Sequence, residues 1–260
     1  DHRRRTGGFD VIGDVHGCAD ELEELLDRLG YAVSWSRKTA VRTATVAPNP
    51  SRTLVFVGDL VDRGPRTPDC LRIAMAACAT AGALLVPGNH DDKFRRWLRG
   101  NKVSISHGLD ASVDQMGSEP TELHDASRQF LEDLPPYLWL DGGRLVVAHA
   151  GILSRMIGQT SHRIWQFCLY GDTDGKVDVN APAIRYDWAH RYDGKTLVVY
   201  RHPPVSQPIA KNNTICIDTG CCFGGGLTAL RYPEMELVSV PARRPYAERL
   251  RPFGLPQPRP

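Results

Sequence analysis

Four short glycine-rich stretches carry aspartate, asparagine and histidine side chains, and each follows an apolar run. They are Gly13–Gly17, Gly58–Gly64, Gly88–Asp91 and His149–Gly151, and His202 follows a fifth apolar run. Short apolar runs bounded by turn residues are typical of buried strands, and glycine lets the backbone turn sharply beside a ligand. Because the carboxyl ends of parallel strands meet at one edge of a sheet, we expect these polar side chains to lie together.

The first hundred residues alternate between strand and helix patterns. The polar segment 31–52 interrupts this alternation without a clear pattern of its own. Strand–loop–helix alternation indicates parallel strands joined by right-handed crossovers. The predicted strands are Phe9–Ile12, Leu54–Val57 and Ala83–Val86; the predicted helices are Ala19–Leu29, a helix from Pro68 to about Ala81 with Thr67 as its cap, and one ending near Gly100.

The second half returns to strands after one more helix. Residues 121–133 predict a helix, and 151–195 show no clear period. The predicted strands are a hairpin of Tyr137–Leu140 with Arg144–Ala148, then Leu197–Tyr200, Ile215–Asp218, Leu227–Arg231 and Glu236–Val240. This predicts an α/β fold in one domain (9–240), with two mixed sheets face to face and helices outside. Residues 1–8 are an N-terminal flank, and the proline- and arginine-rich residues 241–260 predict a linker toward a further domain.

Composition excludes several classes of protein. The net charge of +2 gives no overall electrostatic attraction to nucleic acid. The seven cysteines are odd in number and form no C-x-x-C pair, which argues against a zinc ribbon or a disulfide scaffold and for reduced thiols. No apolar stretch reaches the length of a membrane span, and the first residues lack a signal-peptide core. We therefore expect a cytoplasmic protein without membrane contact.

The polar strand-end residues offer the mixed oxygen and nitrogen ligands that suit two first-row divalent ions. Two ions held about 3.5–4 Å apart clamp the attacking and leaving oxygens of a phosphoryl displacement, and a carboxylate must bridge them. Each residue alone is better explained as a helix cap or a polar core group, and only their shared placement favours metal. The predicted ligands are Asp14 and His16 for one ion, Asn89, His149 and His202 for the other, and Asp59 as the bridge. Manganese is the favoured ion, and nickel, iron or zinc would also suit this set.

The motifs GDxHG, GDxVDRG, GNHD and HAG resemble those of the calcineurin-like binuclear metallophosphoesterases, in the phosphoprotein-phosphatase superfamily. The resemblance implies a four-layer α/β/β/α sandwich. It also implies that Arg63 and Asn89 bind the substrate phosphate, and that His90 protonates the leaving oxygen while Asp62 orients it. An internal ion pair that shapes the loop is the alternative explanation of Asp62 and Arg63.

Further stretches are similar to the phosphatase module of bacterial polynucleotide kinase-phosphatases, which repair RNA. They are 88–100, 106–109, 170–173 and 218–230. This resemblance implies removal of a 2′,3′-cyclic phosphate, or of a terminal 2′- or 3′-phosphate, from RNA 3′ ends by in-line attack of a metal-bridged hydroxide. It also implies kinase and ligase-like domains elsewhere in the full-length protein, and a methyltransferase partner like the one that accompanies some relatives.

Two alternatives to the RNA-repair interpretation stay open. The metal motifs handle only the phosphoryl group, so a serine/threonine phosphoprotein phosphatase or a dinucleoside tetraphosphatase would use the same site. A non-catalytic RNA-docking module belongs to another class. The presence of Asp62, Arg63 and His90 argues against it, because a docking module has no use for a leaving-group acid.

Four smaller features allow two interpretations each. Arg201 stands where the family commonly has glycine before the last histidine, and it either adds a phosphate contact or twists the loop and weakens the second metal site. Asp218 is either a partner of a ligating histidine or a turn cap. The basic residues of helix 93–102 either guide a polyanion or form a solvated face. Phe223 either stacks on a base or, as we favour, packs in the core.

Overall fold

Two five-stranded sheets form the centre of the computed structural model, which describes residues 1–36, 42–175, 184–249 and 253–259. The strands in chain order are β1 Gly8–Ile12, β2 Ala32–Ser36, β3 Thr43–Ala47, β4 Arg52–Phe56, β5 Leu84–Leu85, β6 Tyr137–Leu140, β7 Leu145–Ala148, β8 Asp172–Thr173, β9 Arg185–Tyr186, β10 Leu197–Tyr200, β11 Ile209–Lys211, β12 Thr214–Cys216, β13 Gly226–Tyr232 and β14 Glu236–Pro241. The helices are α1 Ala19–Leu29, α2 Thr67–Thr80, α3 Asn89–Leu98, α4 Leu109–Gly117, α5 Thr121–Glu132 and α6 His162–Tyr170. Short 3₁₀ turns cover Asp141–Gly143, Ser154–Met156 and Trp188–Arg191.

Both sheets are mixed, and each has a parallel centre. The first has the order β14-β13-β1-β4-β5. Strands β1, β4 and β5 are parallel, β13 pairs antiparallel with β1, and β14 pairs antiparallel with β13. The second has the order β11-β12-β10-β7-β6, with β12, β10 and β7 parallel. Parallel neighbours send their carboxyl ends to one edge, so each sheet presents its following loops together.

The buried apolar residues form three layers of core. One layer lies between the two sheets, where Val11 and Val55 face Val147 and Val199. A second fills the space between the first sheet and helices α1 to α5, and a third lies between the second sheet and α6. Two sheets packed face to face with helices outside make a four-layer α/β/β/α sandwich. The predicted fold class is confirmed.

The sequence predicts the elements beside the ligand motifs well and misses the half-exposed ones. Helix α1 has its predicted bounds, and the predicted hairpin is β6 with β7. Residues 31–52, expected to be irregular, contain the antiparallel pair β2 and β3. Val33, Trp35 and Val46 face the core and alternate with exposed residues, a short strand pattern that was overlooked in the sequence. Helix α4 was not predicted, and α6 lies within the stretch for which no period was found.

The predicted helix cap at Thr67 is wrong by one residue. Arg66 is the residue that precedes α2, and Thr67 is its first helical residue. The Thr67 hydroxyl lies 3.1 Å from the Ser112 hydroxyl, and its backbone nitrogen donates to the Gln115 side chain. Thr67 therefore links α2 to α4.

The segment after β14 packs against α1. The backbone nitrogen of Arg243 and the hydroxyl of Tyr246 both donate to the buried carboxylate of Glu21. Farther along, the carbonyl of Gln257 accepts from the backbone nitrogen of Asp187. The linker role of 241–260 and the bounds of the predicted domain stay predictions.

The seven cysteines are free thiols. Among the described residues, no helix combines the length and the apolar character that crossing a membrane requires.

Candidate metal centre and active site

Loops from both sheets meet at one edge of the sandwich. Strands β1, β4 and β5 lead into the first three motifs, and β7 and β10 lead into His149 and His202. Backbone hydrogen bonds join the loops in pairs: the His16 nitrogen donates to the Asp59 carbonyl at 2.8 Å, and the Arg201 nitrogen donates to the His149 carbonyl at 2.9 Å. The predicted convergence of the motifs is confirmed.

Asp91 fastens the loop after β4 to the start of α3. Its carboxylate accepts from the backbone nitrogens of Asp59 at 2.7 Å, Leu60 at 2.9 Å and Gly88 at 3.0 Å. Burial raises the pKa of Asp91 to about 6, and these three donors oppose the rise. This contact of Asp91 was not predicted from the sequence, although an aspartate in the first turn of a helix is a capping signal.

The backbone is strained at the predicted functional residues. Non-glycine residues adopt positive φ here, between 44° and 74°, a region that costs on the order of 1–3 kcal/mol each and is found at functional sites. They are His16, Asp59, Asp62, Arg63 and His202. At Gly88 a Cβ atom would collide with the Asp59 carboxylate and the His149 ring, so only glycine permits this approach.

Asp59 lies between a histidine from each sheet. Its Oδ2 is 3.4 Å from His16 Nε2, and its Oδ1 is 3.6 Å from His149 Nε2. The Nδ1 atoms of His16 and His149 lie 2.8 Å from the Val61 carbonyl and 2.9 Å from the Val57 carbonyl. His16 Nδ1 therefore donates, which leaves its Nε2 lone pair on the side of Asp59. His149 Nδ1 also lies 3.0 Å from the Arg201 Nε donor.

Burial keeps these imidazoles neutral. It lowers the pKa of His16 well below the ordinary value, with help from the Arg63 guanidinium, and it lowers the pKa of His149 to about 3. Burial also raises the pKa of the Asp59 carboxyl well above its ordinary value. Neutral imidazole is the form that binds metal, and a nearby cation restores the charged form of a buried carboxylate.

The other predicted ligands surround the same point. Asp14 Oδ2 is 3.4 Å from His16 Nε2, and Asn89 Oδ1 is 3.2 Å from His149 Nε2. The His202 ring stacks on that of His149 with centroids 6.0 Å apart. Within the described residues, Asp14 Oδ1 and His202 Nε2 are buried without a hydrogen-bond partner. Buried ligand atoms without a hydrogen-bond partner, together with neutral imidazoles, fit divalent metal ions. The six predicted ligands therefore form a candidate metal centre.

His90, Asp62 and Arg63 lie beside this centre. His90 Nδ1 is 2.6 Å from Asp62 Oδ2, and Arg63 donates from its two terminal nitrogens to His90 Nε2 and His16 Nε2. Burial raises the pKa of Asp62 to about 7 and lowers that of His90 well below its ordinary value, so burial opposes charge on both. The alternative ion pair between Asp62 and Arg63 is not among the described contacts, since Asp62 bonds to His90 and Ser112 instead.

Ser112 supports Asp62, and sequence reasoning missed it. Its hydroxyl donates to Asp62 Oδ1 and accepts from the Asp62 backbone nitrogen, both at 2.8 Å. Ser112 is fully buried on α4, fifty residues along the chain from Asp62. A serine in a weakly patterned helix carries no sequence signal for such a contact.

Arg201 contacts Asp218 as well as three of the predicted metal ligands. Arg201 is buried, and its guanidinium lies among Asp14, Asp59 and His149. Asp218 Oδ2 lies 3.5 Å from Arg201, and its Oδ1 accepts from the Gly220 nitrogen at 3.0 Å, which is a turn contact. The predicted pairing of Asp218 with a ligating histidine is not among the described contacts.

The basic face of helix α3 is largely paired within the molecule. Arg95 bonds to Asp92, Arg99 to Glu132, and Lys93 to the Ser106 carbonyl. This favours the solvated-face interpretation over a polyanion guide. Phe223 packs against the core, and the Arg63 guanidinium lies 5.0 Å from its ring centroid.

Comparison with known proteins gives one family and one set of relatives. The family model described as "Calcineurin-like phosphoesterase" matches residues 8–239. The "Bis(5'-nucleosyl)-tetraphosphatase PrpE [asymmetrical]" proteins of Anoxybacillus flavithermus and Bacillus subtilis are each 43% identical to this chain over 250 residues, which are 94% of this chain and 99% of theirs.

Solved structures agree on the fold. A "Crystal structure of a putative diadenosine tetraphosphatase" aligns with TM-score 0.64 and 27% identity, and the match covers 92% of this chain and 96% of that one. A serine/threonine phosphatase from Saccharomyces cerevisiae aligns with TM-score 0.57 at 15% identity, over 91% of this chain and 79% of that one, which shows the fold alone.

These findings correct the predicted function. The prediction of an RNA-end phosphatase from a polynucleotide kinase-phosphatase is wrong, because the close curated relatives are asymmetrical tetraphosphatases along almost their whole length. The stretches that resembled the RNA-repair module are therefore not specific to it. The expected kinase, ligase-like and methyltransferase partners and the cytoplasmic location stay predictions. The phosphoesterase chemistry is confirmed, with divalent ions as its cofactor class. The chain belongs to the calcineurin-like phosphoesterase family.

Proposed function

We propose that this protein hydrolyses bis(5′-nucleosyl) tetraphosphates asymmetrically, releasing a nucleoside triphosphate and a nucleoside monophosphate. The observation that carries the proposal is the near full-length identity to relatives that bear this activity in their names. The gathered side chains at the strand ends agree with it, since hydrolysis of a phosphoanhydride needs the same phosphoryl-handling groups as hydrolysis of an ester.

The metal ligands of the proposed enzyme are Asp14, His16, Asp59, Asn89, His149 and His202. When bound, divalent ions polarise the phosphoryl group and make water a stronger nucleophile. Asp59 supports this role because its two oxygens face His16 from one sheet and His149 from the other.

Arg63 binds and orients the phosphoryl group under attack. Its guanidinium is half-buried and lies against the Nε2 atoms of His16 and His90, at the border of the metal centre. A planar guanidinium matches two phosphate oxygens at once, so substrate would draw both terminal nitrogens away from the imidazoles. Asn89, which is partly exposed, offers its amide to the same oxygens.

His90 delivers a proton to the departing oxygen, because the negative charge of a bound polyphosphate raises the pKa that burial lowers and favours the protonated ring. Asp62 holds His90 Nδ1, and Ser112 holds Asp62, so the ring keeps its Nε2 atom on the substrate side. In the tetraphosphate reaction the leaving group is itself a phosphate, which departs more easily than an alkoxide. The need for the proton is therefore smaller on this substrate than on an alkyl ester.

The recess beside His202, lined in part by Tyr170, Tyr186, Tyr200 and Arg185, encloses only about 10 Å³, which is too little for a nucleoside. The nucleosides of the proposed substrate therefore bind outside this recess.

Product analysis tests the proposal. Purified protein with manganese is given diadenosine tetraphosphate, a phosphopeptide and p-nitrophenyl phosphate, and the products are separated by chromatography. We expect the highest kcat/KM on the tetraphosphate, with equal amounts of ATP and AMP and no ADP. Chelator-treated protein is the control for contaminating phosphatases. A higher kcat/KM on the phosphopeptide, or ADP as the product, would refute the assignment.

A further inference from the structure

Arg201 is a buried cation inside the candidate metal centre. It follows β10 and precedes His202, and its side chain is 1% exposed, which makes it the largest fully buried side chain among the described residues. An arginine remains charged under physiological conditions, so burial of this kind requires compensating negative groups.

The guanidinium contacts atoms that the proposed function assigns to metal. One terminal nitrogen contacts Asp14 Oδ2, and the other contacts Asp59 Oδ2 and lies 2.8 Å from His149 Nε2. The first nitrogen also lies 3.5 Å from Asp218 Oδ2. Asp14 belongs to one predicted ion position, His149 to the other, and Asp59 to both. Arg201 therefore occupies ligand atoms that belong to both predicted ion positions.

The carboxylates that hold this cation are those that an ion would need. Asp14 and Asp59 each give an oxygen to the guanidinium, and Asp218 lies beside it. A positive charge at this position repels a second divalent ion from the same oxygens.

We propose that Arg201 is a built-in cation that takes the place of one of the two divalent ions, so that this protein binds a single exchangeable ion. The inference rests on the ligand set of the proposed function. It makes Asp218 a partner of Arg201, which explains why a third carboxylate is buried beside the predicted ligands. The remaining ion is held by Asp59 with the predicted ligands that are absent from the described contacts of Arg201, which are His16, His202 and Asn89.

Counting bound ions tests this inference directly. Protein is stripped with a chelator, reloaded with manganese, freed of excess ion and measured for metal per chain. We expect about one ion in the native protein and about two in Arg201→Gly, which removes the guanidinium and leaves room for a second ion. Arg128→Ala, on the exposed face of α5, is the matched control and should retain the native count.

Electron paramagnetic resonance gives a second readout that involves no substrate. An isolated manganese ion gives a resolved six-line spectrum, whereas two neighbouring ions give the broad pattern of a coupled pair. We expect the isolated pattern for the native protein and the coupled one for Arg201→Gly.

The native protein alone decides the outcome, even if the variant does not fold. Two ions per chain with a coupled spectrum in the native protein would overturn the inference. These measurements are independent of turnover, so loss of the proposed tetraphosphatase activity would leave the ion count intact, and a count of two would leave the proposed activity intact.

Discussion

The Asp59 carboxylate lies between a histidine from each of the two sheets. Its oxygens face His16 and His149, each of which has its other ring nitrogen against a backbone carbonyl. For His16 that contact fixes the tautomer and directs the unprotonated nitrogen at the carboxylate. The sequence predicts these residues because each follows a strand, whereas their ring orientation depends on carbonyls that only the fold supplies.

Asp59→Asn should lower kcat/KM by more than about 100-fold and lower the manganese content. The amide keeps the size of the side chain but removes the charge that holds the ion, and even outer partners of metal ligands typically contribute 10–100-fold. Steady-state kinetics and metal analysis check this. Asp114→Asn, at an exposed position of α4, is the control. Native metal content in Asp59→Asn would contradict the assignment.

His90→Ala should slow alkyl phosphates far more than p-nitrophenyl phosphate. An alkoxide needs a proton to depart and p-nitrophenolate scarcely does, and general acids typically contribute 10²–10⁴-fold. Ratios of kcat for the two esters, in native and variant protein, measure the difference. Ser112→Ala, which loosens Asp62 without touching substrate, should shift the ratio in the same direction and less. An equal loss on both esters would indicate a structural role for His90.

At the scale of elements, the site depends on short loops that only glycine permits. The loop between β5 and α3 passes so close to Asp59 and His149 that Gly88 has no room for a side chain. Asp91 then fastens the start of α3 to the loop after β4. The motif spacing predicts the strand, the turn and the helix, since each has its own local pattern.

Other elements could not be predicted from local patterns. The pair β2 and β3 is about half exposed, so its alternation is short and weak. It packs on α2, where the Thr80 hydroxyl donates to the Val46 carbonyl at 2.7 Å. Helix α4 buries only Leu109, Ser112 and Met116, which is too few apolar positions for a clear period. The direction taken by the Arg201 side chain was likewise unpredictable, because the carboxylates around it come from β1, β4 and β12.

Gly88→Ala should lower the free energy of unfolding by about 1–3 kcal/mol and lower the affinity for manganese. The added methyl group would push Asp59 and His149 apart, and overpacking in a tight site has a cost of this order. Chemical denaturation and metal titration measure the two effects. Gly117→Ala, at the end of α4 with nothing within 4 Å of the added carbon, is the control and should unfold at the native denaturant concentration or above. Native metal affinity in Gly88→Ala would show that the loop tolerates a side chain.

At the scale of the whole molecule, the candidate metal centre lies where the loops of the two sheets meet. The first sheet supplies Asp14 and Asp59, and the second supplies His149 and His202. A bound ion therefore cross-links the sandwich, and stability should depend on ion concentration by mass action.

Manganese at about 100 times its Kd should stabilise the folded protein by about 2.7 kcal/mol, which is a rise in Tm of roughly 5–10 °C for a chain of this size. Calorimetry of chelator-treated and manganese-loaded protein measures this rise. Magnesium in place of manganese should give a smaller rise, because imidazole ligands suit it poorly. An identical Tm with and without manganese would show that the ion is not bound across the two sheets.

The substrate was the part of the function that the sequence could not specify. The motifs around the metal handle one phosphoryl group and leave the rest of the molecule undefined. The glycine-rich stretch 218–230 shapes the turn that positions Asp218 and Phe223 and contacts Arg63, so it serves the centre and not a particular substrate. The nucleotide substrate is proposed from the names of the relatives alone.

Anomalous diffraction from crystals grown with manganese is the most direct test of the central claim, that the strand-end side chains of both sheets bind the catalytic metal. Data collected on either side of the manganese absorption edge locate the ion without reference to the chain. We expect an anomalous peak in contact with the Asp59 carboxylate and with at least one of the His16 and His149 Nε2 atoms. A peak elsewhere in the molecule, with none at Asp59, would contradict it.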